Sequence, residues 1–130
     1  MVYTAQSQSL AALEILVHTD DPSDLAALDY VVIPVEIPEG SIRSVPKLPP
    51  RWWIYPATPA TARLGDRWIK SNLSPVLRVP SAIVRDEWSY LINPNHPSVA
   101  KFHVGKPKPF VFDSRLGPER SRAKSRSAGK

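Results

Sequence analysis

The chain has no cysteine. That excludes a disulfide framework, a thiolate metal site and a cysteine nucleophile, and it fits a reducing compartment. Only five glycines occur in 130 residues, and none builds the glycine-rich turn that cradles a phosphate or a dinucleotide. No run of about 18 apolar residues exists, so nothing in the sequence reads as a membrane span. The first ten residues, MVYTAQSQSL, lack a basic region followed by an apolar stretch and do not read as a secretory signal. The histidines, His18, His96 and His103, are far apart and share no metal-binding spacing. No Gly-x-Ser-x-Gly elbow is present.

Proline is abundant. Fifteen prolines, most of them between residues 34 and 109, predict short strands and loops rather than a helical bundle. The hydrophobic fraction of 42% is slightly below the usual range, while four tryptophans argue for a real core. The length allows one domain, large enough to bury a core without staples. The net charge of +5 is unevenly spread. Residues 1–114 hold 11 basic and 11 acidic side chains, whereas RLGPERSRAKSRSAGK at the C-terminus holds six basic residues and Glu119. This reads as a solvated, disordered basic tail from about residue 117, with a nucleic-acid or partner contact as the rival reading. The body has no basic stripe of the kind a dedicated nucleic-acid module carries.

VYTA reads as a short strand at the start of the chain. In SQSLAALEILVH, Leu10, Leu13, Leu16 and Val17 recur at helical spacing, and Ser7 is placed to cap the helix. DDPSDLAALD reads as a turn with one helical turn capped by Ser23. YVVIPVEIP reads as one strand, with Pro34 marking an edge or bulge. SIRSV reads as a short strand. KLPPRWWIYPATP reads as a loop whose Trp52, Trp53 and Tyr55 are packed. A second helix starts near Thr58, with Pro59 in its first turn and Leu64, Trp68 and Ile69 as its apolar positions. SPVLRVPSAIV, EWSYLINP and KPFVFDSRL read as strands, with a turn and a short helix from Pro97 between the last two. Two helices and about six short strands make an α+β domain with a mixed, curved sheet.

The order YTA…SLAALE, VEIP, LGDRWIKS…SPVLRVPSA, YLINPNHP, FVFDSRL resembles the RES domain family from about Val2 to Leu116. No one piece is specific; the five in this order are. The resemblance implies a fold similar to ADP-ribosyltransferases and a cytoplasmic bacterial toxin of a toxin–antitoxin system that consumes NAD+. Its implied partners are a helix-turn-helix antitoxin and, as an option, further copies of the chain. NAD+ would be a substrate and not a Rossmann-bound cofactor, and no other cofactor is implied. The family is named for an Arg, a Glu and a Ser. The Glu falls on Glu14, the Ser on Ser81, and a Tyr that contacts NAD+ falls on Tyr3. The family Arg lies upstream of the YTA strand, so the chain as given reads as a partial RES domain over residues 1–116. Arg43, Arg51, Arg63 and Arg67 stand at other family positions. The expectation is an enzyme impaired by the missing segment; the alternatives are a non-catalytic protein that keeps an antitoxin-binding surface, or a nucleic-acid binder acting through the tail.

Cleaving the nicotinamide–ribose bond leaves positive charge on the ribose, as in glycoside hydrolysis. Glu14 would stabilise that charge or hold a ribose hydroxyl. Its bland reading is a surface glutamate paired with His18 four residues on. Ser81 would give a hydrogen bond to ribose, phosphate or amide; its bland reading is a cap or turn serine. Tyr3 would stack on nicotinamide or bond through its hydroxyl, against a place in the core. Asn93 would reach the ligand cleft, against a role in the turn of NPNHP, where His96 is also read as a turn residue.

Overall fold

The computed structural model describes residues 1–116, apart from the side chains of Ser23 and Asp24. The basic tail expected from residue 117 lies outside the described residues, as does the Ser23 cap. Strand β1 (Val2–Ala5) leads into helix α1 (Gln8–His18). Strands β2 (Tyr30–Val32), β3 (Val35–Glu36) and β4 (Ile42–Ser44) precede helix α2 (Pro59–Ser71). Then come β5 (Val76–Pro80), β6 (Trp88–Ile92), β7 (His103–Val104) and β8 (Lys108–Phe110). The class is α+β. A four-stranded mixed sheet runs β1–β6–β5–β4, with β4 and β5 parallel and the other pairs antiparallel. Among the described residues two antiparallel ladders, β2–β8 and β3–β7, complete the strand pairing.

Local sequence explains the helix boundaries. Ser7 has extended backbone and its hydroxyl accepts from the Leu10 N–H, which starts α1. Thr58 does the same for Thr61 at the head of α2, with Pro59 where its missing N–H costs nothing. The α2 helix ends at Asn72, which takes the left-handed conformation (φ 53°) that asparagine tolerates better than most residues.

The sheet buries both faces in its centre. Residues alternate sides along a strand, so Leu77 and Leu91 face one way and Val76 and Ile92 the other. Leu77 and Leu91 pack with Trp68 of α2. Val76 and Ile92 pack with Phe102 and, around it, Val35, Ile37 and Ile42. Trp68 is anchored as well as buried. Its Nε1–H donates to Ser74 Oγ at 2.9 Å, and that hydroxyl donates on to the Val76 carbonyl.

The expected strand over Tyr30–Pro38 is two strands in two ladders. Pro34 has no N–H to continue a ladder. Its carbonyl instead accepts from Gly105 N at 2.7 Å, which turns β3 onto β7. The last strand is also shorter than expected, ending at Phe110, and β7 is a further short strand that the sequence reading did not include. The loop aromatics differ from expectation too. Tyr55 is 81% exposed and Trp53 39%. They rest on side chains rather than in a core: Tyr55 edge-on to His18, and Trp53 against Trp52 and under the Arg85 guanidinium. Arg115, grouped with the basic tail by sequence, folds back on Asp113 with its Nε 2.9 Å from Oδ1 and holds that carboxyl down at about 2.

This packing is open to two tests. A Cβ placed on Gly105 would stand 2.5 Å from Pro34 Cγ, and a proline ring cannot swing away. Gly105→Ala is expected to cost about 1–3 kcal/mol, read as a lower denaturant midpoint. Among the described residues β1 pairs only with β6. Its outward amides should exchange quickly while those of β5, paired on both sides, are protected; uniform protection across residues 2–5 in a monomer would contradict the edge position.

Candidate functional site

Two segments far apart in sequence meet at the end of the sheet. Strand β5 stops at Pro80, opposite Trp88 on β6. The next residue, Ser81, is 1% exposed and donates its N–H to the Glu87 carbonyl at 2.8 Å, which closes the β5–β6 connection. Its hydroxyl oxygen accepts from the N–H groups of Ile83 (3.1 Å) and Val84 (3.2 Å). Ser81 is therefore a turn serine. With its oxygen engaged as an acceptor, its proton is left to point elsewhere, and Glu14 Oε1 lies 3.5 Å away, 67 residues distant in sequence. That separation is long for a strong hydrogen bond. It sets two polar groups at one small spot rather than locking them together.

The other Glu14 oxygen, Oε2, lies 3.6 Å from His18 Nε2. Glu14 thus pairs with His18 along the helix and also faces Ser81. Helix geometry explains how. Leu10, Glu14 and His18 are spaced four apart and share one side. Leu10 is 1% exposed and fixes that side against the body. The Glu14 side chain is 34% exposed, open enough for a ligand to reach. His18 is flanked by the ring of Tyr55, centroids 5.5 Å apart. Tyr55 thereby gives the open side of Glu14–His18 an aromatic wall. Sequence reasoning took Tyr55 as packed within its loop; its neighbourhood with His18 had no signal in local spacing.

A second concavity lies on another side of α1. A groove of about 600 Å³ runs between the helix, the β1–β6 edge of the sheet and the β2–β8 ladder, lined by Ala12, Ile15, Ile42, Tyr90 and Phe110 among others. Ile15 is one residue beyond Glu14, about 100° around the helix. The groove is lined by Tyr3 but not by Glu14 or Ser81. Among the described residues no carboxylate lines the groove.

The other two expected residues stand apart from that pair. Tyr3 lies mid-strand on β1, opposite Leu91, with 76% of its surface exposed. It lies on the surface and not in the core. Asn93 lies just past the far end of β6, roughly 17 Å from the Ser81 end at about 3.4 Å per residue. It is 2% exposed and its side chain is fully engaged. Its Nδ2 donates to Asn72 Oδ1 at 2.7 Å, and its Oδ1 accepts from Asn95 N. Asn93 ties the NPNHP turn to the end of α2. His96 Nδ1 accepts from Ser98 N and caps the 3-10 helix after it, the turn role expected of it.

The geometry is thus a carboxylate and a buried serine at a strand end, bordered by His18 and Tyr55. Among the described residues no group of three or more metal-ligating side chains gathers there or elsewhere, and no helix is long and apolar enough to cross a membrane.

Known proteins share this sequence pattern. The family model described as the RES domain matches residues 1–113. The chain is 38% identical over 120 residues to a protein named Toxin Res from Pseudomonas putida, covering 89% of this chain and 79% of that one. It is 36% identical over 116 residues to a Toxin Res from Yersinia enterocolitica, covering 88% and 76%. It is 32% identical over 121 residues to a Prs ADP-ribosylating toxin from a Sphingobium strain, covering 89% and 74%. With nearly the whole described body matched, the chain belongs to the RES domain family.

Proposed function

We propose that the chain carries the catalytic core of a toxin that cleaves NAD+ between nicotinamide and ribose. The observation that supports this most is the approach of Glu14 Oε1 to Ser81 Oγ, since these are the two residues on which the resemblance puts the family's Glu and Ser. In the reaction the C1′–N bond breaks and its electron pair goes to the pyridinium nitrogen, which leaves as neutral nicotinamide. Positive charge develops on the ribose ring. The Glu14 carboxylate sits close to that charge or takes a ribose hydroxyl, and a fixed carboxylate stabilises the transition state more than the uncharged substrate sugar. Ser81 holds its proton toward the same spot and orients Glu14 or the sugar. We do not assign it as a nucleophile: its oxygen already accepts two backbone N–H groups, and the carboxylate beside it, Glu14, is kept for the charge on the sugar.

The ribosyl group then passes to water or to phosphate, with the acceptor losing the proton. A second reading changes the acceptor only. The Sphingobium relative is named as an ADP-ribosylating toxin, which favours a protein side chain as acceptor from the same cleavage. In both readings the chain works as the toxin of a pair in the cytoplasm. A helix-turn-helix antitoxin is its partner, and self-association is a further option. A protein that kept only the antitoxin-binding surface would need no carboxylate beside Ser81.

The test measures NAD+ loss and nicotinamide release in three proteins. They are this chain, the chain fused behind the N-terminal segment of the Yersinia relative, and that fusion carrying Glu14→Gln. The fusion should be at least as active as the chain. Glu14→Gln should lower its rate by about 100-fold or more, the scale of losing one preorganised electrostatic group. A Glu14→Gln fusion that matches its parent would remove Glu14 from the chemistry and favour the interaction-only alternative.

A further inference from the structure

Arg78 stands three residues before Ser81 on β5, the strand whose end forms the site. Its Cα partners are Tyr90 on β6 and Ser44 on β4, so its side chain leaves from the face that also carries Val76. It does not rise straight over Tyr90. The guanidinium carbon sits 4.4 Å from the centroid of the Trp88 ring, and Trp88 is opposite Pro80. Arg78 therefore leans diagonally along the sheet, one pleat toward the end where Ser81 pairs with Glu87. A long side chain reaches such a diagonal neighbour readily.

The charge it delivers there is unpaired. The ion pairs among the described residues join Glu14 with His18 and Asp113 with Arg115, and neither includes Arg78. Its Nε is the one buried side-chain polar atom among the described residues that has no hydrogen-bond partner. A guanidinium stays protonated at any working pH and has only donors to offer. The sealed Nε is out of a ligand's reach, but the two Nη groups are neither sealed nor hydrogen-bonded and are free to take an acceptor. The contact with the Trp88 ring face favours the cation and restrains the guanidinium at this spot. A flat, fixed, unpaired guanidinium suits bidentate contact with a phosphate group.

We propose that Arg78 is an anion anchor of the Glu14–Ser81 site, taking the diphosphate of a nucleotide whose ribose lies at Glu14. The location of the sugar rests on the NAD+ reading above; the anion site does not. Trp88 is the positioning residue that restrains the guanidinium. Arg78 carried no signal in the sequence, because a cation in a strand is ordinarily a solvated edge residue.

Binding is measured by calorimetry on the full chain with inorganic pyrophosphate, with ADP-ribose, and with adenosine as the uncharged control. Arg78→Gln should weaken pyrophosphate and ADP-ribose by about ten- to a hundredfold, the scale of one lost charge-assisted contact, and leave adenosine unchanged. Arg78→Lys keeps the charge without the fork and should fall between. The thermal midpoint of Arg78→Gln should be no lower than that of the parent, since the substitution removes an unpaired buried donor. Were that variant to unfold, Arg78→Lys carries the comparison. Wild-type protein that fails to bind pyrophosphate, or variants that bind it as tightly as the parent, overturn the assignment. Pyrophosphate binding that depends on Arg78, in a protein that leaves NAD+ intact, would uphold the anchor and reject the NAD+ reading.

Discussion

Strand β5 is the constraint on which the rest depends. It is the one strand of the main sheet that must satisfy a parallel neighbour, an antiparallel neighbour and two cores within five residues. Val76 is 0% and Leu77 3% exposed, so a one-residue slip in register would turn each into the wrong core. That register in turn fixes the residues at the strand's end. Arg78 must face the Val76 side, Pro80 must stop the strand, and Ser81 must enter the turn back to β6. The site is thus a consequence of where a doubly buried strand is forced to end.

Helix α1 meets that end from the other side of the chain. Leu10 anchors it, and the spacing of four carries Glu14 and His18 onto the same side. The neighbouring side, with Ala12 and Ile15, walls the groove instead. One short helix therefore separates an apolar trough from a polar corner. The carboxylate sits at the corner, where its charge is neither stranded in an apolar wall nor lost to open water. Partial exposure of that kind leaves the group reachable from solvent.

Much of this was legible in the residues. Capping serines and threonines, the Leu spacing in α1 and the β-branched runs identify the helices and the main strands because these signals are local. The Glu14–Ser81 approach was accessible only through family resemblance, since 67 residues intervene and no local period links a helix to a strand end. Three features were not legible. The break at Pro34 looked like a bulge, and only the close passage of Gly105 shows that the chain changes ladders there. Tyr55 looked packed because aromatics usually are, yet it is 81% exposed and its ring settles on His18. Asn93 looked like a ligand contact or a turn residue, and the hydrogen bond to Asn72 that occupies its amide joins two turns 21 residues apart.

The central claim is that sugar chemistry takes place between Glu14 and Ser81 and not in the groove on the neighbouring side of α1. A crystal structure of the protein with ADP-ribose bound tests this most directly. The account predicts the ribose that bore nicotinamide within hydrogen-bond reach of Glu14 and Ser81, with the diphosphate running toward Trp88. A ribose seated in the groove against Ile15 and Tyr90, with Glu14 still turned to His18 and untouched, would contradict it.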